Sequence, residues 1–287
     1  MKIILSFLLL VSGYCHAALD HKVYPLTNDP IDVVLVTHPK DTDTLDMCID
    51  GIRTYGENIG RVIVVSSEHL TDKAEWFDEA NYPFSKPDVA FEVGRGDLNV
   101  ASAFFARGGH PVGWYYQQLL KLYAAYVIPG ISPNVLVLDS DSVFVNPVRF
   151  LDEHGGGLLA INPKKATKSH YRAHAQRMLP SYQPINLEVN SVNHHMLFQK
   201  PILDDMFAEI ENHHKMPLWK VFCRNVDIER KWGSGSEYEL YYNFALNHTS
   251  QVSIRPLKRR SSGSLHRVEE YQAEDYILLS FHSYMRK

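Results

Sequence analysis

The sequence predicts one mixed α/β domain, in which helices flank a central sheet of mostly parallel strands. Runs of β-branched and aliphatic residues, typical of buried strands, alternate with segments whose apolar residues recur at helical spacing. A length of 287 residues fits one large α/β domain, and a composition of 45% hydrophobic residues supplies a sizeable core. No internal repeat, low-complexity linker or domain boundary interrupts the pattern, so we expect residues 18–287 to form that domain.

Residues 1–17 have the pattern of a secretory signal peptide. Lys2 precedes an apolar stretch from Ile3 to Val11, and the small residue Ala17 offers a cleavage site. The stretch is short for a bilayer span, and no other stretch is long and apolar enough, so we expect no membrane span after leader removal. The leader predicts a location in the secretory pathway lumen (Golgi or ER), secretion, or the periplasm if the protein is bacterial. An uncleaved anchor or a buried first strand is the alternative.

The net charge and the cysteine content limit which partners the protein is expected to bind and which disulfides it can form. The net charge is −4 and no basic stripe runs along the chain, which argues against a nucleic-acid partner. Once the leader is removed, Cys48 and Cys223 remain. They form either one disulfide in an oxidising compartment or two buried thiols.

The amino-terminal half opens with a strand–helix–strand unit. Leu45, Ile49 and Ile52 have helical spacing between two apolar runs, and this order predicts a parallel strand pair with a right-handed crossover. Residues rich in Pro, Gly and polar side chains follow and are expected to contain loops. In order, we predict a strand at 31–37, a helix at 45–55, a strand at 61–66, loops within 81–113 and a helix at 115–126.

The carboxy-terminal half continues the alternation. Pro201 starts a helical pattern in which Ile202, Met206 and Ile210 share one face. In order, we predict a strand ending at Leu138, an apolar run at 158–161, a strand at 191–198, the helix that begins at Pro201, a helix at 236–245 and a last strand at 276–281.

The sharpest chemical signal is a pair of aspartates at the end of an unbroken aliphatic run. Asp139 and Asp141 directly follow Val135 to Leu138. Sheets of this class bind ligands beyond the carboxyl ends of their strands, and hard oxygen ligands suit Mg²⁺ or Mn²⁺, which commonly clamp a diphosphate. The pair therefore predicts a metal-assisted transferase that uses a nucleotide-linked donor. The structural alternative is a loop whose aspartates cap backbone groups.

A phosphatase of the haloacid dehalogenase type is a second interpretation of the same residues. Such enzymes also place D-x-D after a hydrophobic strand and use its first aspartate as the nucleophile. There the motif closes the first strand of the core, whereas a complete strand–helix–strand unit precedes Asp139 here. A second acidic pair, Asp204-Asp205, lies in an amphipathic helical pattern, where that chemistry would require a loop at a strand end.

Four short blocks along the chain together resemble a known family. They are Tyr116-Gln117-Gln118-Leu119-Leu120-Lys121, Leu138-Asp139-Ser140-Asp141, His194-His195-Met196-Leu197-Phe198 and Ser236-Glu237-Tyr238-Glu239-Leu240-Tyr241. The arrangement is similar to that of GT-A glycosyltransferases, in which a helix with a basic residue precedes the strand that ends in D-x-D. The closer likeness is to an uncharacterised glycosyltransferase-like family, and it extends from about Val33 to His282.

The resemblance implies a GT-A-like domain that moves a sugar from a nucleoside diphosphate sugar to a hydroxyl acceptor on a glycan, lipid or protein. A non-catalytic glycan-binding relative of the same fold is the alternative. In this reading Asp139 and Asp141 bind Mn²⁺ or Mg²⁺ against the donor diphosphate. Lys121 faces donor phosphate or sugar, and Thr37 and His38, which close the first strand, seat the nucleoside.

Histidines supply further candidate ligands. His282 follows the last predicted strand and matches a carboxy-terminal histidine that several GT-A enzymes use as a metal ligand, with imidazole suiting Mn²⁺ better than Mg²⁺. His194 and His195 are expected to contact sugar or acceptor. Because adjacent strand residues face opposite sides, at most one of the two should point into the cleft.

The last block supplies a candidate catalytic carboxylate. Inverting transfer needs a base for the acceptor hydroxyl, and Glu237 is the candidate. If the enzyme retains configuration, Glu237 instead binds the acceptor hydroxyls. The alternative is a helix amino-terminal acid that the helix dipole stabilises. Several aromatic residues are candidates to stack on sugars or to pack in the core: Trp114, Trp219, Trp232, Tyr238 and Tyr241.

Overall fold

The computed structural model describes residues 21–161, 166–232, 235–261, 264 and 267–282. The predicted leader, residues 1–17, lies outside the described residues. The strands are β1 (Ile31–Val36), β2 (Ile59–Ser66), β3 (Glu75–Asp78), β4 (Asn134–Leu138), β5 (Ser142–Phe144), β6 (Leu158–Ile161), β7 (His195–Gln199), β8 (Ser253–Pro256), β9 (Arg259–Ser261) and β10 (Leu278–Ser280). The helices are α1 (Leu45–Tyr55), α2 (Lys86–Val93), α3 (Leu98–Ala106), α4 (Val112–Val127), α5 (Ser169–Met178), α6 (Lys200–His214), α7 (Leu218–Arg224), α8 (Glu237–His248) and α9 (Val268–Ala273). Within the part of the chain described, none of these helices is long and apolar enough to cross a bilayer.

A five-stranded sheet in the order β3-β2-β1-β4-β7 forms the centre of the molecule. Its first four strands run parallel, and β7 pairs antiparallel with β4. Two smaller sheets, β5-β10-β9 and β6-β8, accompany it. The predicted fold class, a mostly parallel central sheet flanked by helices, is confirmed, as is the parallel pairing of β1 with β2.

Alternate residues of β1, β2, β4 and β7 face two different core clusters. On β1, Val34 and Val36 pack in the cluster that includes residues of α4, α6 and α8, whereas Val33 and Leu35 pack in the cluster that includes residues of α1, β5 and β10. Because both faces of the sheet are covered, its strands are continuously apolar and not alternating. This burial on two sides explains the unbroken aliphatic runs in the sequence.

The segment 81–113, predicted to contain loops, also holds two helices. At α2 the Ser85 side chain and the Asp88 carboxylate form a capping box, and Pro87 occupies the first turn. At α3 the Asp97 side chain accepts from the backbone N–H groups of Asn99 and Val100. The prediction missed α2 and α3 because it weighed Gly and Pro content above these capping signals.

The strand predicted at 191–198 begins only at His195. Upstream of it, Ser191 makes side-chain contacts in place of a strand ladder, since its N–H donates to Thr167 Oγ1 at 3.1 Å. The last strand is likewise shorter than predicted and covers Leu278–Ser280.

The order of the strands creates a topological switch point between β1 and β4. From β1 the chain continues through β2 and β3 on one side of β1, and β4 then pairs with β1 on the other side. Segments that leave the carboxyl ends of two such strands diverge and leave a crevice, which is the usual ligand site in open α/β sheets. Thr37 follows β1 and Asp139 follows β4, so both predicted site segments begin at this crevice.

Cys48 and Cys223 are both buried free thiols. Cys48 belongs to the core cluster on one face of the sheet and Cys223 to the cluster on the other face. Of the two alternatives left open by the sequence, the structure therefore has two buried thiols and no disulfide between them.

Candidate active site and metal centre

A cavity of about 550 Å³ opens at the carboxyl end of β4. This volume is within the range of about 300–1,000 Å³ found for small-molecule sites. It collects predicted site residues from segments that are far apart in the chain. They are Lys121, Asp139, Asp141, His194, Glu237, Tyr238 and His282.

The two aspartates and one histidine approach each other closely enough to share a cation. One ligand atom from each of Asp139, Asp141 and His194 can be chosen so that all lie within 4.8 Å of one another. The Nδ1 atom of His194 lies 3.2 Å from Oδ2 of Asp139. Two carboxylates and an imidazole form a donor set that fits Mn²⁺ or Mg²⁺. The sequence had assigned His194 to sugar or acceptor, but its position is that of a candidate metal ligand.

His282 lies beside the same group and contacts its second aspartate. Its Nδ1 atom is 3.0 Å from Oδ2 of Asp141, and its ring centroid is 5.0 Å from that of His194. The position follows from the antiparallel pairing of β10 with β5, which directly follows Asp141. In addition, the N–H of Phe281 donates to the carbonyl oxygen of Asp141 at 2.7 Å. The structure thus brings His282 to the acidic pair, and its role as a metal ligand stays a prediction.

Lys121 is a buried cation that joins residues 139–141, which we call the acidic loop, to α8. Its Nζ atom lies 2.6 Å from Oδ1 of Asp139 and 3.0 Å from Oε1 of Glu237, and it donates to the Tyr238 hydroxyl at 3.1 Å. Burial disfavours its charge, but Asp139 and Glu237 outweigh that effect and hold the pKa of Lys121 well above its usual value. Likewise, although burial opposes ionisation of Asp139, Lys121 and His194 hold the pKa of Asp139 well below its usual range. The Lys121–Asp139 pair is therefore charged.

Glu237 begins α8 and turns its carboxylate into the cavity wall. It is 1% exposed, and burial raises its pKa above the ordinary value although Lys121 opposes the shift. The side-chain amide of Gln118, with its nitrogen turned towards α8, donates to Oε1 of Glu237 at 3.2 Å. Glu239 points elsewhere, since it accepts from the hydroxyls of Tyr182 and Ser191. The two glutamates diverge because residues two apart on a helix do not face the same direction.

His195 lies on the other side of β7 and is not among the described residues that line the cavity. Its ring packs edge-on against Phe144 and Phe150, with centroids 5.3 Å and 5.8 Å away. Burial lowers the pKa of His195 to about 3, so the ring is neutral at physiological pH. The alternation of strand residues that directs His194 into the cavity directs His195 into the core. The predicted substrate contact of His195 is not supported by this position.

Thr37 and His38 line a second cavity of about 240 Å³ next to the first. The two cavities share Asp41, Trp114 and Gln117 as lining residues. Thr37 is buried and its hydroxyl donates to the carbonyl of Leu35 at 3.4 Å, whereas His38 is exposed. The segment after β1 therefore reaches the crevice beside the acidic loop.

One face of α4 forms a wall of the main cavity. Trp114, Gln117, Gln118 and Lys121 follow the spacing i, i+3, i+4, i+7, and all four line the cavity. Sequence reasoning assigned Lys121 to the donor and did not assign the glutamines, although this spacing could have identified them. No comparable spacing in the sequence marks the other lining residues, because separate loops and α5 supply them: Asp41, His110, Lys168, Tyr171 and Asn193.

The candidate sugar-stacking aromatics separate into two groups. Trp114 and Tyr238 line the cavity, and the ring of Trp232 is 51% exposed. Trp219 and Tyr241 pack with the larger core cluster. Of the two roles that the sequence left open, these two residues therefore pack in the core and do not stack on a sugar.

The fold and the site define an α/β protein with a group of carboxylates and histidines at the switch point of its sheet. The sequence profile of a family of unknown function (DUF6492) matches residues 31–257, and the chain belongs to this family. No curated protein shows significant similarity to it. Among solved structures, the chain is similar to apo mouse xyloside xylosyltransferase 1, with 13% identity, a TM-score of 0.42 and coverage of 90% of this chain and 99% of that chain.

Proposed function

We propose that the protein is a metal-dependent glycosyltransferase that moves a sugar from a nucleoside diphosphate sugar to a hydroxyl acceptor. The observation that carries this proposal is the approach of Asp139, Asp141 and His194 to within 4.8 Å at the carboxyl end of β4, inside a cavity of about 550 Å³. The GT-A-like order of the four sequence blocks supports the same activity. A lumenal, secreted or periplasmic location remains part of the proposal.

The cation would be held by Asp139, Asp141 and His194, with His282 beside them. When bound, it would offset the charge that develops on the departing diphosphate. Two histidines among the candidate ligands favour Mn²⁺ over Mg²⁺, because imidazole suits the softer ion. The cavity lining contains four carboxylates and two lysines, so acidic groups outnumber basic ones where a cation would bind.

In this proposal Lys121 is a positioning residue. Its ammonium is already engaged by Asp139 and Glu237, which keeps both carboxylates oriented and Asp139 ionised. A ligand carboxylate fixed by a second partner is preorganised for a cation. The earlier expectation of a direct contact between Lys121 and donor phosphate is replaced by this indirect role.

Glu237 is the proposed contact for the acceptor hydroxyl. During transfer the anomeric carbon exchanges its bond to a diphosphate oxygen for a bond to the acceptor oxygen, and the acceptor must lose a proton. In an inverting reaction Glu237 takes that proton, and its burial-raised pKa makes it a stronger base. In a retaining reaction Glu237 would hold the acceptor hydroxyl without taking its proton.

The second cavity is the proposed place for the nucleoside. It adjoins the main cavity through Trp114 and Gln117 and lies at the carboxyl end of β1, where Thr37 and His38 line it. A donor that spans both cavities would place its diphosphate near the acidic loop.

The acidic pair on α6 does not favour the phosphatase alternative. Asp204 pairs with Lys200 at 2.8 Å and Asp205 with Lys22 at 2.6 Å, and neither aspartate is among the described lining residues of the main cavity.

A thermal-shift screen of nucleoside diphosphates with and without Mn²⁺ tests the proposal. At a nucleotide concentration about 100 times Kd the folded state gains about 2.7 kcal/mol, which raises Tm by several degrees. We expect one nucleotide to do so only with metal present, and more strongly with Mn²⁺ than with Mg²⁺.

Asp141→Ala should abolish this shift, and Asp204→Ala is the matched control that removes an acid outside the cavity. A shift that persists in Asp141→Ala, or that needs no metal, contradicts the proposed site. Phosphate release from a phosphomonoester through a phosphoenzyme would support the phosphatase. Glycan binding that needs neither metal nor nucleotide, without any sugar transfer, would support a non-catalytic relative.

A further inference from the structure

Three aromatic rings, those of His110, Trp114 and Tyr171, line the main cavity. The rings of His110 and Trp114 are stacked, with centroids 4.2 Å apart and planes 15° apart, and Tyr171 lies nearly parallel to His110 at 6.5 Å. We call these residues the aromatic wall. Trp232 extends it at the surface, with its ring edge-on to His110 at 5.4 Å.

Gly109 allows the backbone segments that carry His110 and Trp232 to approach each other closely. A Cβ atom at position 109 would collide with the carbonyl oxygen of Lys231, so only glycine permits these two backbones to approach. Because His110 follows Gly109 and Trp232 follows Lys231, this approach brings the two rings together. The edge-on contact is therefore built into the backbone path.

The wall has polar edges without protein partners. Within the described ranges, Nε1 of Trp114 and Nε2 of His110 are buried and have no hydrogen-bond partner. Buried polar atoms in folded proteins are nearly always paired, so these edges require a ligand or water with hydrogen-bonding groups. Aromatic rings that carry polar nitrogen atoms suit a pyranose, which has an apolar C–H face and hydroxyls at its edge.

The remaining lining argues against an acyl or prenyl chain. Among the described residues that line the cavity, Val192 is the one aliphatic side chain, and the others are aromatic, polar or charged. An extended hydrocarbon would gain little from such surroundings, because apolar burial supplies its binding energy. A sugar instead satisfies both the ring faces and the polar lining.

We infer that the aromatic wall is the acceptor subsite and that the acceptor is a carbohydrate. This inference rests on the proposed glycosyltransferase function. The sugar ring lies against the wall, and its reacting hydroxyl points towards Glu237 and the acidic loop, which line the same cavity. Lipid and peptide hydroxyls are outcomes that the test distinguishes.

Saturation-transfer difference NMR tests the subsite without donor chemistry. The full chain in EDTA, without nucleotide, is mixed with methyl pyranosides of glucose, galactose, mannose, xylose and N-acetylglucosamine and with disaccharides of the same sugars. We expect saturation transfer to the ring C–H protons of at least one sugar. No transfer to any sugar of the panel overturns the inference.

Variants locate the binding. Trp232→Ala removes an exposed ring and His110→Ala removes the centre of the stack, and each should weaken sugar binding about tenfold, while Tm of each variant is checked. Trp76→Ala is the matched control, since Trp76 is 43% exposed on β3, away from the cavity. Wild-type sugar binding in both Trp232→Ala and His110→Ala overturns the inference.

Turnover separates this inference from the proposed function. We expect Trp232→Ala to raise KM for the sugar acceptor about tenfold. Metal-dependent donor hydrolysis with transfer only to a serine peptide or a polyprenol contradicts the wall as a sugar subsite and leaves the glycosyltransferase intact. If no nucleotide sugar turns over with any metal, the proposed function fails, and the acceptor role of the wall fails with it.

Discussion

Lys121 connects two carboxylates that would otherwise repel each other. Asp139 and Glu237 both contact its ammonium, and the lysine side chain is 3% exposed. Glu237 is buried with the lysine, whereas the side chain of Asp139 is 23% exposed, so loss of the lysine leaves mainly Glu237 without a counter-charge. The single lysine therefore sets the charge state of the metal-facing aspartate and of the proposed base.

Lys121→Met should lower the free energy of unfolding by about 3–5 kcal/mol, because it leaves the buried carboxylate of Glu237 without a counter-charge. The double variant Lys121→Met with Glu237→Gln should recover part of that loss, since one of the uncompensated charges is gone. Urea unfolding at neutral pH measures both values.

Lys200→Met is the matched control for this experiment. Lys200 pairs with Asp204 on the surface of α6, so its loss should cost less than about 1 kcal/mol. Equal effects at the two lysines would contradict the assignment of Lys121 as a buried structural cation.

His174 should make the fold sensitive to acid. Its ring is 1% exposed on α5, Nε2 lies 2.8 Å from the carbonyl oxygen of Phe222, and Arg177 is nearby. Burial lowers the pKa of His174 to about 4, against about 6.5 in the unfolded chain. Between these values the unfolded state binds a proton that the folded state excludes, so stability falls as pH drops from 6.5 towards 4.

The expected contribution of His174 over this interval is about 3 kcal/mol at most. Urea unfolding of the wild type and of His174→Gln at pH 7 and pH 4 measures it. The variant should lose less stability on acidification than the wild type does, whereas parallel losses would show that His174 has no part in the acid response.

At the scale of elements, the acidic loop is held by the helix and strands around it. The hydroxyl of Thr44, which precedes α1, donates to the carbonyl of Ser140 at 2.9 Å. The hydroxyls of Ser142 on β5 and Ser280 on β10 lie 3.1 Å apart. Because these contacts come from separate elements, small shifts of α1 or β5 should be transmitted to the aspartates.

Gly51 allows α1 to pack closely against β5. A Cβ atom at this position would lie 2.5 Å from the carbonyl oxygen of Phe144, which cannot move without displacing its strand. Gly51→Ala should therefore destabilise the protein by about 1–3 kcal/mol despite the higher helix propensity of alanine, and should weaken Mn²⁺ binding. Urea unfolding and Mn²⁺ titration calorimetry measure the two effects.

Gly113→Ala in α4 is the control for a helical glycine with open space, since no atom lies within 4 Å of its Cβ position. It should be neutral or stabilising by up to about 1 kcal/mol. A stabilising Gly51→Ala would contradict the close packing of α1 on β5.

At the scale of the whole molecule, the two core clusters lie on opposite faces of one shared sheet. The strands β1, β2 and β4 contribute residues to both clusters, so neither cluster can lose its packing without disturbing the other. We therefore expect residues 18–287 to unfold as one domain. Differential scanning calorimetry should show one transition with equal calorimetric and van't Hoff enthalpies. Two separable transitions would contradict the single-domain prediction.

The sequence by itself determined the elements whose pattern is local. The strand β1, the helix α1 and the strand β4 were predicted to within one or two residues, because apolar periodicity depends only on neighbouring residues. The position of the aspartates at a strand end was visible for the same reason. The alternation of side chains along an extended segment also predicted that His194, just before β7, and His195, its first residue, face opposite sides.

Only the tertiary structure decided which segments surround the aspartates. An apolar strand can pair with any other, and long-range packing places β4 beside β1 and so creates the crevice. It also brings α4, the start of α8 and the end of β10 to that crevice, so that Lys121, Glu237 and His282 meet one acidic loop. Nothing in the local pattern of His110 or Tyr171 marks the aromatic wall, because its rings come together only when separate loops and helices pack.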